Sequence, residues 1–347
     1  MDLERDSAPL RPGEELDALA LAAYLRGKIE GAEDGVTLEQ FPGGHSNLTY
    51  LVRAGTFEYV LRRAPLGPVA PKAHDMAREY RLLAKVHPLF SAAPNVYLLC
   101  EDASVIGSVF FLMERRRGVI LRDRVPAALQ AEPDFGARVS SAFVDCLVDL
   151  HAIDIERHGL TALGRPDGFI ARQVTGWSDR WNRSKTEELP EMEAVMRWLA
   201  DSIPESGPAT LVHNDFKLDN VMLDPADPGR VEAVLDWEMA TVGDPLADLG
   251  LTLCYWTLGS ASAGERASIS AGAGWFSRDE LVERYAARTG RDVSRVRYYE
   301  VLGVFKLAVI LRQIYFRYVR GQTHDERFRS FGERVRGLVQ IAARLIA

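Results

Sequence analysis

The sequence predicts an α+β protein in which a small antiparallel sheet precedes a larger, mainly helical region. Three observations carry this prediction. Short segments with alternating polarity, separated by turns, fill the first third of the chain, and long apolar-periodic segments follow from Leu121. Only the stretch Ala209 to Glu238 interrupts these helices with short strands. The segment from Glu114 to Leu121 is therefore the expected boundary between two lobes, residues 1–113 and 114–347.

The first lobe should hold one sheet with helices beside it. After a periodic helix at Leu16 to Ile29, the segment "VTLEQFPGGHSNLTYLVRAGTFEYVLRRA" is typical of three strands joined by glycine-containing turns. The segment "PKAHDMAREYRLLAKV" has apolar residues near helical spacing, and two further strands are expected in "NVYLLCED" and "SVFFLMER". These segments predict an antiparallel meander extended by two strands.

The second lobe should be built from long helices. Their apolar periodicity predicts helices at Phe135 to Ile153, Glu191 to Ser202, Leu246 to Leu258, Arg278 to Thr289 and Val296 to Val319.

Composition and charge exclude several classes of function. The chain has 347 residues, 47% of them hydrophobic, and a net charge of −7, which offers no electrostatic footprint for nucleic acid or an anionic membrane. The three cysteines lie far apart in apolar runs, so we expect small buried side chains and no disulfides. No apolar run reaches the roughly 20 residues that span a bilayer, and the charged N-terminus lacks a signal core. A cytoplasmic protein is expected.

The stretch "LVHNDFKLDNVMLD" concentrates polar residues between two apolar runs. A solvated turn between strands would explain such a pattern. Phosphoryl transfer explains more of it, because that reaction needs a carboxylate to orient the acceptor hydroxyl and hard oxygen ligands for magnesium. Asp215 fits the first need and Lys217 could reach the transferred group as a positive charge. Asn220 and Asp236, at neighbouring ends of the predicted strand pair, could hold the metal ion.

These residues resemble a known family. The pattern H-x-D-x-x-x-x-N, here His213, Asp215 and Asn220, followed by a strand that leads to "DWE", resembles the catalytic and metal-binding loops of the kinase fold. Together with "VLDWEMATVGDPLADLG" and "GGHSNLTYLV", it is similar to the aminoglycoside phosphotransferase (APH) family, most of all to the branch attached to some acyl-CoA dehydrogenases. The resemblance runs from about Gln40 to Arg320. It implies a bilobal protein-kinase-like fold with a small antiparallel-sheet N-lobe and a larger, mainly helical C-lobe, and a small-molecule kinase that uses ATP and Mg²⁺.

The resemblance also implies the nucleotide site. The loop over the phosphates would be Gly44, His45, Ser46 and Asn47, although two glycines alone would suffice for a hairpin turn. On the third strand, Val60 and Arg62 share a face, and Arg62 stands where the family has a phosphate-binding lysine that pairs with a helix glutamate, here Glu79. Arg63 is the alternative to Arg62, and an exposed helix face is the alternative for Glu79. The adenine-binding connection between the lobes would comprise Met113, Glu114 and Arg116, the charges of the arginines being solvated.

Two further aspartates lie at the start of a predicted helix in the second lobe. Asp244 precedes Pro245 and should cap that helix. Asp248 lies one turn inside the helix, and the family resemblance implies that it braces the catalytic loop.

Two other functions compete. A catalytically silent nucleotide-binding module is the first, because Arg62 replaces the family lysine and Asn214 replaces a common loop glycine. A protein kinase is disfavoured, since the residues after Asp236 leave no room for a long activation loop.

The acceptor, a small molecule with a hydroxyl group, is left open by the sequence. Aminoglycosides are polycations that need an acidic pocket, whereas a stripe of Lys306, Gln313, Arg317 and Arg320 either faces the cleft or forms a solvated basic edge.

Overall fold

A computed structural model describes residues 6–41, 47–65, 74–122, 124–130, 132–258, 268–323 and 325–347. The chain divides into two compact units, which we call unit 1 and unit 2. Unit 1 comprises Met1–Val119 and Val221–Glu238, and unit 2 comprises Ile120–Asn220 and Met239–Ala347. The segment Val221–Glu238, which we expected within 114–347, thus clusters with the N-terminal part of the chain.

The elements are numbered in chain order. The strands are β1 Thr37–Gln40, β2 Leu48–Ala54, β3 Phe57–Arg63, β4 Val96–Cys100, β5 Phe110–Glu114, β6 Val119–Ile120, β7 Thr210–Val212, β8 Val221–Leu223, β9 Val231–Val234 and β10 Thr241–Gly243. The helices are α1 Ala18–Leu25, α2 Met76–Val86, α3 Ala127–Gln130, α4 Phe135–His151, α5 Phe169–Arg183, α6 Pro190–Asp201, α7 Pro245–Leu258, α8 Arg278–Thr289, α9 Val296–Val319 and α10 Phe331–Ile346.

Unit 1 contains a five-stranded sheet in the order β1-β2-β3-β5-β4, with antiparallel neighbours. This confirms the predicted meander and its two added strands. Alternate residues of β2 and β3 enter a core that includes Tyr50, Val52 and Leu61. The opposite alternation places Arg62 on the other face of the sheet, as period-2 geometry requires.

The β8–β9 hairpin belongs to unit 1 because its end is bonded there. The backbone N–H of Val234 donates to the carbonyl of Ala92 at 2.8 Å. The ring of Trp237 packs edge-on against Phe90, with centroids 6.0 Å apart. These contacts lie far apart in sequence, which is why periodicity alone did not assign the hairpin to this unit.

Unit 2 is organised around α7 and α9. Gly250 of α7 lies so close to α9 that a Cβ there would come within 2.3 Å of the Tyr299 backbone, so only glycine permits this crossing. The α9 side chains enter a large core with α5, α6 and α10. Strands β7 and β10 pair antiparallel, Val212 opposite Thr241.

Every predicted helix is present, most within one or two residues of the expected bounds; the first is shorter, at Ala18–Leu25. Helices α3, α5 and α10 were not predicted, although α5 and α10 carry apolar residues at helical spacing, such as Val174, Trp177 and Trp181 in α5. All three cysteines are buried and none forms a disulfide, as expected. Within the described ranges, no helix is both long and apolar enough to cross a bilayer.

Candidate active site

The loop between β7 and β8 is fixed by the buried carboxylate of Asp248. Its Oδ2 accepts the backbone N–H of His213 at 2.5 Å, and its Oδ1 accepts that of Asn214 at 2.7 Å. The ring of His151 lies 3.3 Å from the same Oδ2. Burial acts to raise the pKa of Asp248, but these partners outweigh it and hold the pKa below the usual value. The expected brace is therefore present.

The helix that carries Asp248 begins as predicted. Asp244 accepts the backbone N–H of Leu246 at 2.9 Å, which is an N-cap, and Pro245 occupies the first helical position.

Asn214 explains how the loop turns without the family glycine. Its φ is +65°, a left-handed conformation that asparagine tolerates better than most residues. Its Nδ2 donates to the carbonyl of Met239 at 3.1 Å, and its own carbonyl accepts Lys306 Nζ at 3.0 Å. Asn214 thus allows a left-handed turn at this position without glycine.

Asp215 is held by donors on both carboxylate oxygens. The hydroxyl of Tyr255 donates to Oδ1 at 3.0 Å. Asn220 Nδ2 donates to Oδ2 at 2.9 Å, and Lys217 Nζ lies 2.9 Å from the same oxygen. The Asp215 side chain is 20% exposed. The carboxylate is therefore fixed in orientation and still reachable from solvent.

The structure thus brings Asp215, Lys217 and Asn220 together within unit 2. Asp236, the other predicted metal ligand, lies in unit 1 just beyond β9 and has a φ of +65°. The hairpin pairs Val221, the residue after Asn220, with Val234. The joint metal role of Asn220 and Asp236 stays a prediction.

In unit 1, Arg62 contacts two acids, Glu79 and Asp236. Its Nη1 lies 3.3 Å from Glu79 Oε1 and its Nη2 donates to Asp236 Oδ1 at 2.9 Å. Burial raises the pKa of Glu79 to about 7 despite the adjacent guanidinium. Burial alone would lower the pKa of Arg62, but Glu79 and Asp236 raise it, so the guanidinium stays charged.

Arg63 points elsewhere, donating through Nη1 to the carbonyl of Ile106 at 3.2 Å. Glu79 is only 1% exposed, so it does not lie on a solvated helix face. The strand register therefore selects Arg62 as the partner of Glu79, while its contact with phosphate stays a prediction.

Of the predicted phosphate loop, Gly44, His45 and Ser46 lie outside the described residues. Asn47 is described and buried: its Nδ2 donates to Glu238 Oε2 at 2.9 Å, and its Oδ1 lies 2.8 Å from His74 Nδ1. Arg78 donates to the Glu238 carbonyl at 2.9 Å. Sequence reasoning missed this network, although Glu238 stands in the quoted "DWE" and could have been noted as a partner for the loop.

The predicted adenine-binding segment begins in the last two residues of β5. Val60 pairs with the buried Met113 in the sheet, and Glu114 accepts the backbone N–H of Asn95 at 3.0 Å. The expectation of solvated arginine charges is wrong for Arg116, whose side chain is 17% exposed and pairs with Glu114 at 2.9 Å. Arg115 is likewise largely buried, whereas Arg117 is 60% exposed. Adenine binding itself stays a prediction.

Within unit 2, a small pocket adjoins the loop between β7 and β8. It is lined by Gln173, Trp177, Asn214, Ala247, Leu251, Leu302, Gly303 and Lys306. Lys306 lies 5.5 Å from the centre of the Trp177 ring, and burial lowers its pKa to about 8 although Asp215 and Asp248 act to raise it. Sequence reasoning missed Gln173 and Trp177 because it missed α5.

The residues of the predicted basic stripe differ in burial along α9. Lys306 is buried beneath the loop and Gln313 is half-buried, whereas Arg317 and Arg320 are exposed. The distal arginines therefore form the solvated edge that was the alternative interpretation.

The chain is similar to a family of phosphotransferases and to part of an acyl-CoA dehydrogenase family member. Residues 37–299 match the model of the phosphotransferase enzyme family, APH. Acyl-CoA dehydrogenase family member 11 of Rattus norvegicus is 34% identical over 336 residues, which cover 94% of this chain and 43% of that protein. The chain therefore spans less than half the length of this curated relative, and the relative belongs to the branch that the sequence resembles.

Two solved structures share the fold. A protein from Ralstonia eutropha JMP134, provisionally described as an aminoglycoside phosphotransferase, is 30% identical with a TM-score of 0.81, covering 95% of this chain and 98% of that one. A thermostable mutant of aminoglycoside phosphotransferase APH(4)-Ia, in a ternary complex with AMP-PNP and hygromycin B, is 19% identical with a TM-score of 0.60, covering 94% and 99%. The chain belongs to the phosphotransferase enzyme family and has its kinase-like α+β fold.

Proposed function

We propose that this protein transfers the γ-phosphoryl group of ATP to a hydroxyl of a small molecule, with Asp215 as the catalytic base. One observation carries the proposal: in a phosphotransferase family member, the Asp215 carboxylate is fixed through both oxygens, on a loop braced by Asp248, and remains 20% exposed. A solvated turn does not require a carboxylate held from three sides.

The roles follow from the contacts. Asp215 would orient the acceptor hydroxyl and accept its proton, for which a positioned carboxylate is suited. Lys217, 2.9 Å from Asp215, brings a positive charge to the point at which negative charge develops on the transferred group. Positioning and electrostatics are the main contributions that a protein makes to phosphoryl transfer.

The donor set suits magnesium. Asp236 offers a carboxylate that is 29% exposed and Asn220 offers an amide oxygen, both hard oxygen ligands of the type that Mg²⁺ prefers. Bound there, Mg²⁺ would neutralise charge on the nucleotide phosphates. The AMP-PNP in the APH(4)-Ia complex supports a nucleoside triphosphate as the donor.

The pocket beside the loop favours neutral or anionic acceptors over polycations. Lys306 lines it, and Arg180 stacks on the Trp177 ring 4.4 Å from its centre. Placing further cationic groups beside these charges is unfavourable. We therefore do not extend the acceptor named for APH(4)-Ia to this chain.

One observation favours the silent nucleotide-binding module instead. The Arg62 guanidinium bonds to Asp236, so one oxygen of the proposed metal ligand already has a charged partner. Were this pairing permanent, the carboxylate would bind magnesium weakly and transfer would fail.

The deciding experiment measures magnesium-dependent ADP release against a panel of hydroxy acids, hydroxyacyl thioesters, amino alcohols, sugars and aminoglycosides. We expect release stimulated by at least one neutral or anionic hydroxyl compound, with Asp215→Asn as the inactive control. ATP binding without acceptor-stimulated ADP release from any class would favour the silent module.

A further inference from the structure

Tyr255 makes a contact with the proposed base that neither the family resemblance nor the sequence pattern anticipates. It lies in the last turn of α7, and its hydroxyl donates to Asp215 Oδ1 at 3.0 Å. Its ring is 7% exposed and packed in the core of unit 2, and Lys217 Nζ lies 5.0 Å from the ring centre. A side chain fixed in this way defines where Oδ1 lies.

The donors are unequally shared between the two oxygens of Asp215. A carboxylate oxygen has about two lone-pair positions for hydrogen bonds. Asn220 and Lys217 both contact Oδ2, whereas Tyr255 contacts Oδ1. Oδ1 therefore keeps an acceptor position for an incoming hydroxyl.

The tyrosine hydroxyl acts as a donor in this contact. Burial and the nearby Asp215 charge raise the pKa of Tyr255 well above its ordinary value, so the phenol keeps its proton. A neutral phenol beside a carboxylate donates a charge-assisted hydrogen bond.

We infer that Tyr255 is a positioning residue that presents Asp215 Oδ1 as the proton-accepting oxygen. The inference rests on the proposed function. The acceptor O–H bond breaks and its proton goes to Oδ1, while the oxygen forms the new bond to the γ-phosphorus. The bond between that phosphorus and the bridging oxygen breaks, its electron pair leaves with ADP, and Tyr255 keeps its own proton throughout.

The test compares Tyr255→Phe with the parent, using the acceptor identified by the panel. Removing the hydroxyl should lower kcat about 10- to 100-fold while the KM for acceptor changes less than about threefold, since the lost contact acts on the base rather than on acceptor binding. Tyr298→Phe is the matched control, because its buried hydroxyl donates to the carbonyl of Leu199 at 2.7 Å, away from the site. That control should retain the parent kcat. An unchanged kcat in Tyr255→Phe, or an equal loss in Tyr298→Phe, would overturn the inference.

A double-mutant cycle separates positioning of the base from a general structural effect. If Tyr255 acts through Asp215, Tyr255→Phe should change kcat less than about twofold in the Asp215→Asn background. A full, multiplicative loss there would show that Tyr255 acts elsewhere and would contradict the inference. A parental rate in Asp215→Asn alone would instead contradict the proposed function, independently of the result at Tyr255.

Discussion

Arg62 and Asp236 form an ion pair within unit 1, with Nη2 2.9 Å from Oδ1. The same guanidinium lies 3.3 Å from the buried Glu79. Asp236 is therefore aligned by a fixed positive charge, and a bound cation would have to share the carboxylate with it. Whether this arrangement serves a nucleotide site or blocks one can be decided by mutation.

The metal assignment is tested at Asp236. If Asn220 and Asp236 hold magnesium, ATP should raise the melting temperature of the parent only when magnesium is present, because a ligand that binds the native state stabilises it. Asp236→Ala should abolish this shift. The matched control is Asp224→Ala, which removes a carboxylate of the same hairpin that pairs with Arg230. Equal magnesium-dependent shifts in Asp236→Ala and the parent would refute the metal role.

The strand register is tested at the two adjacent arginines. Arg62→Lys keeps the charge but loses the two-pronged geometry that reaches both Glu79 and Asp236, so ATP affinity or turnover should change measurably. Arg63→Lys is the control, since Arg63 bonds to the Ile106 carbonyl instead. Isothermal titration with magnesium and ATP measures the affinity of both variants, and ADP release measures their turnover. An effect at Arg63 with none at Arg62 would contradict the assignment.

Lys306 should make stability depend on alkaline pH. Its folded-state pKa of about 8 lies below the ordinary 10.5, so the unfolded chain binds more protons between these values and stability should rise with pH across that window. At about 1.4 kcal/mol per pKa unit, the gain relative to Lys306→Met is about 3 kcal/mol at most. Asp215, Asp248, Arg180 and Lys217 are the charges that act on it.

Urea unfolding at several pH values between 7 and 10.5 measures this gain. The exposed Lys85→Met variant controls for loss of a positive charge on the surface. A stability difference between the parent and Lys306→Met that stays constant with pH would show that Lys306 titrates normally.

Much of the fold could be predicted from local pattern. Alternation gave the meander, and helical spacing gave α9 at Val296–Val319 to the residue. What local pattern did not predict depends on contacts between residues distant in sequence. Val221–Glu238 clusters with unit 1, where Val234 donates to the Ala92 carbonyl and Trp237 packs against Phe90. Helix α10, Phe331–Ile346, lies beyond the last predicted helix, Val296–Val319.

In the site, too, residues close in sequence could be predicted and contacts distant in sequence could not. The motif placed Asp215, Lys217 and Asn220 on one loop, because their separation in sequence is short. Tyr255 was not predicted, since a tyrosine in an apolar helix indicates core packing, and only the path of α7 beside the loop brings its hydroxyl to Asp215.

The most direct test of the account is Asp215→Asn, which preserves shape but removes the base. Magnesium-dependent ATP binding should remain near that of the parent, while turnover with the acceptor found by the panel falls by roughly 10²- to 10⁴-fold. Acceptor turnover, rather than slow ATP hydrolysis, is the quantity to measure, because the hydroxyl is what Asp215 is proposed to orient. Turnover at the parental rate would contradict the central claim and leave the loop as a polar turn beside the brace of Asp248.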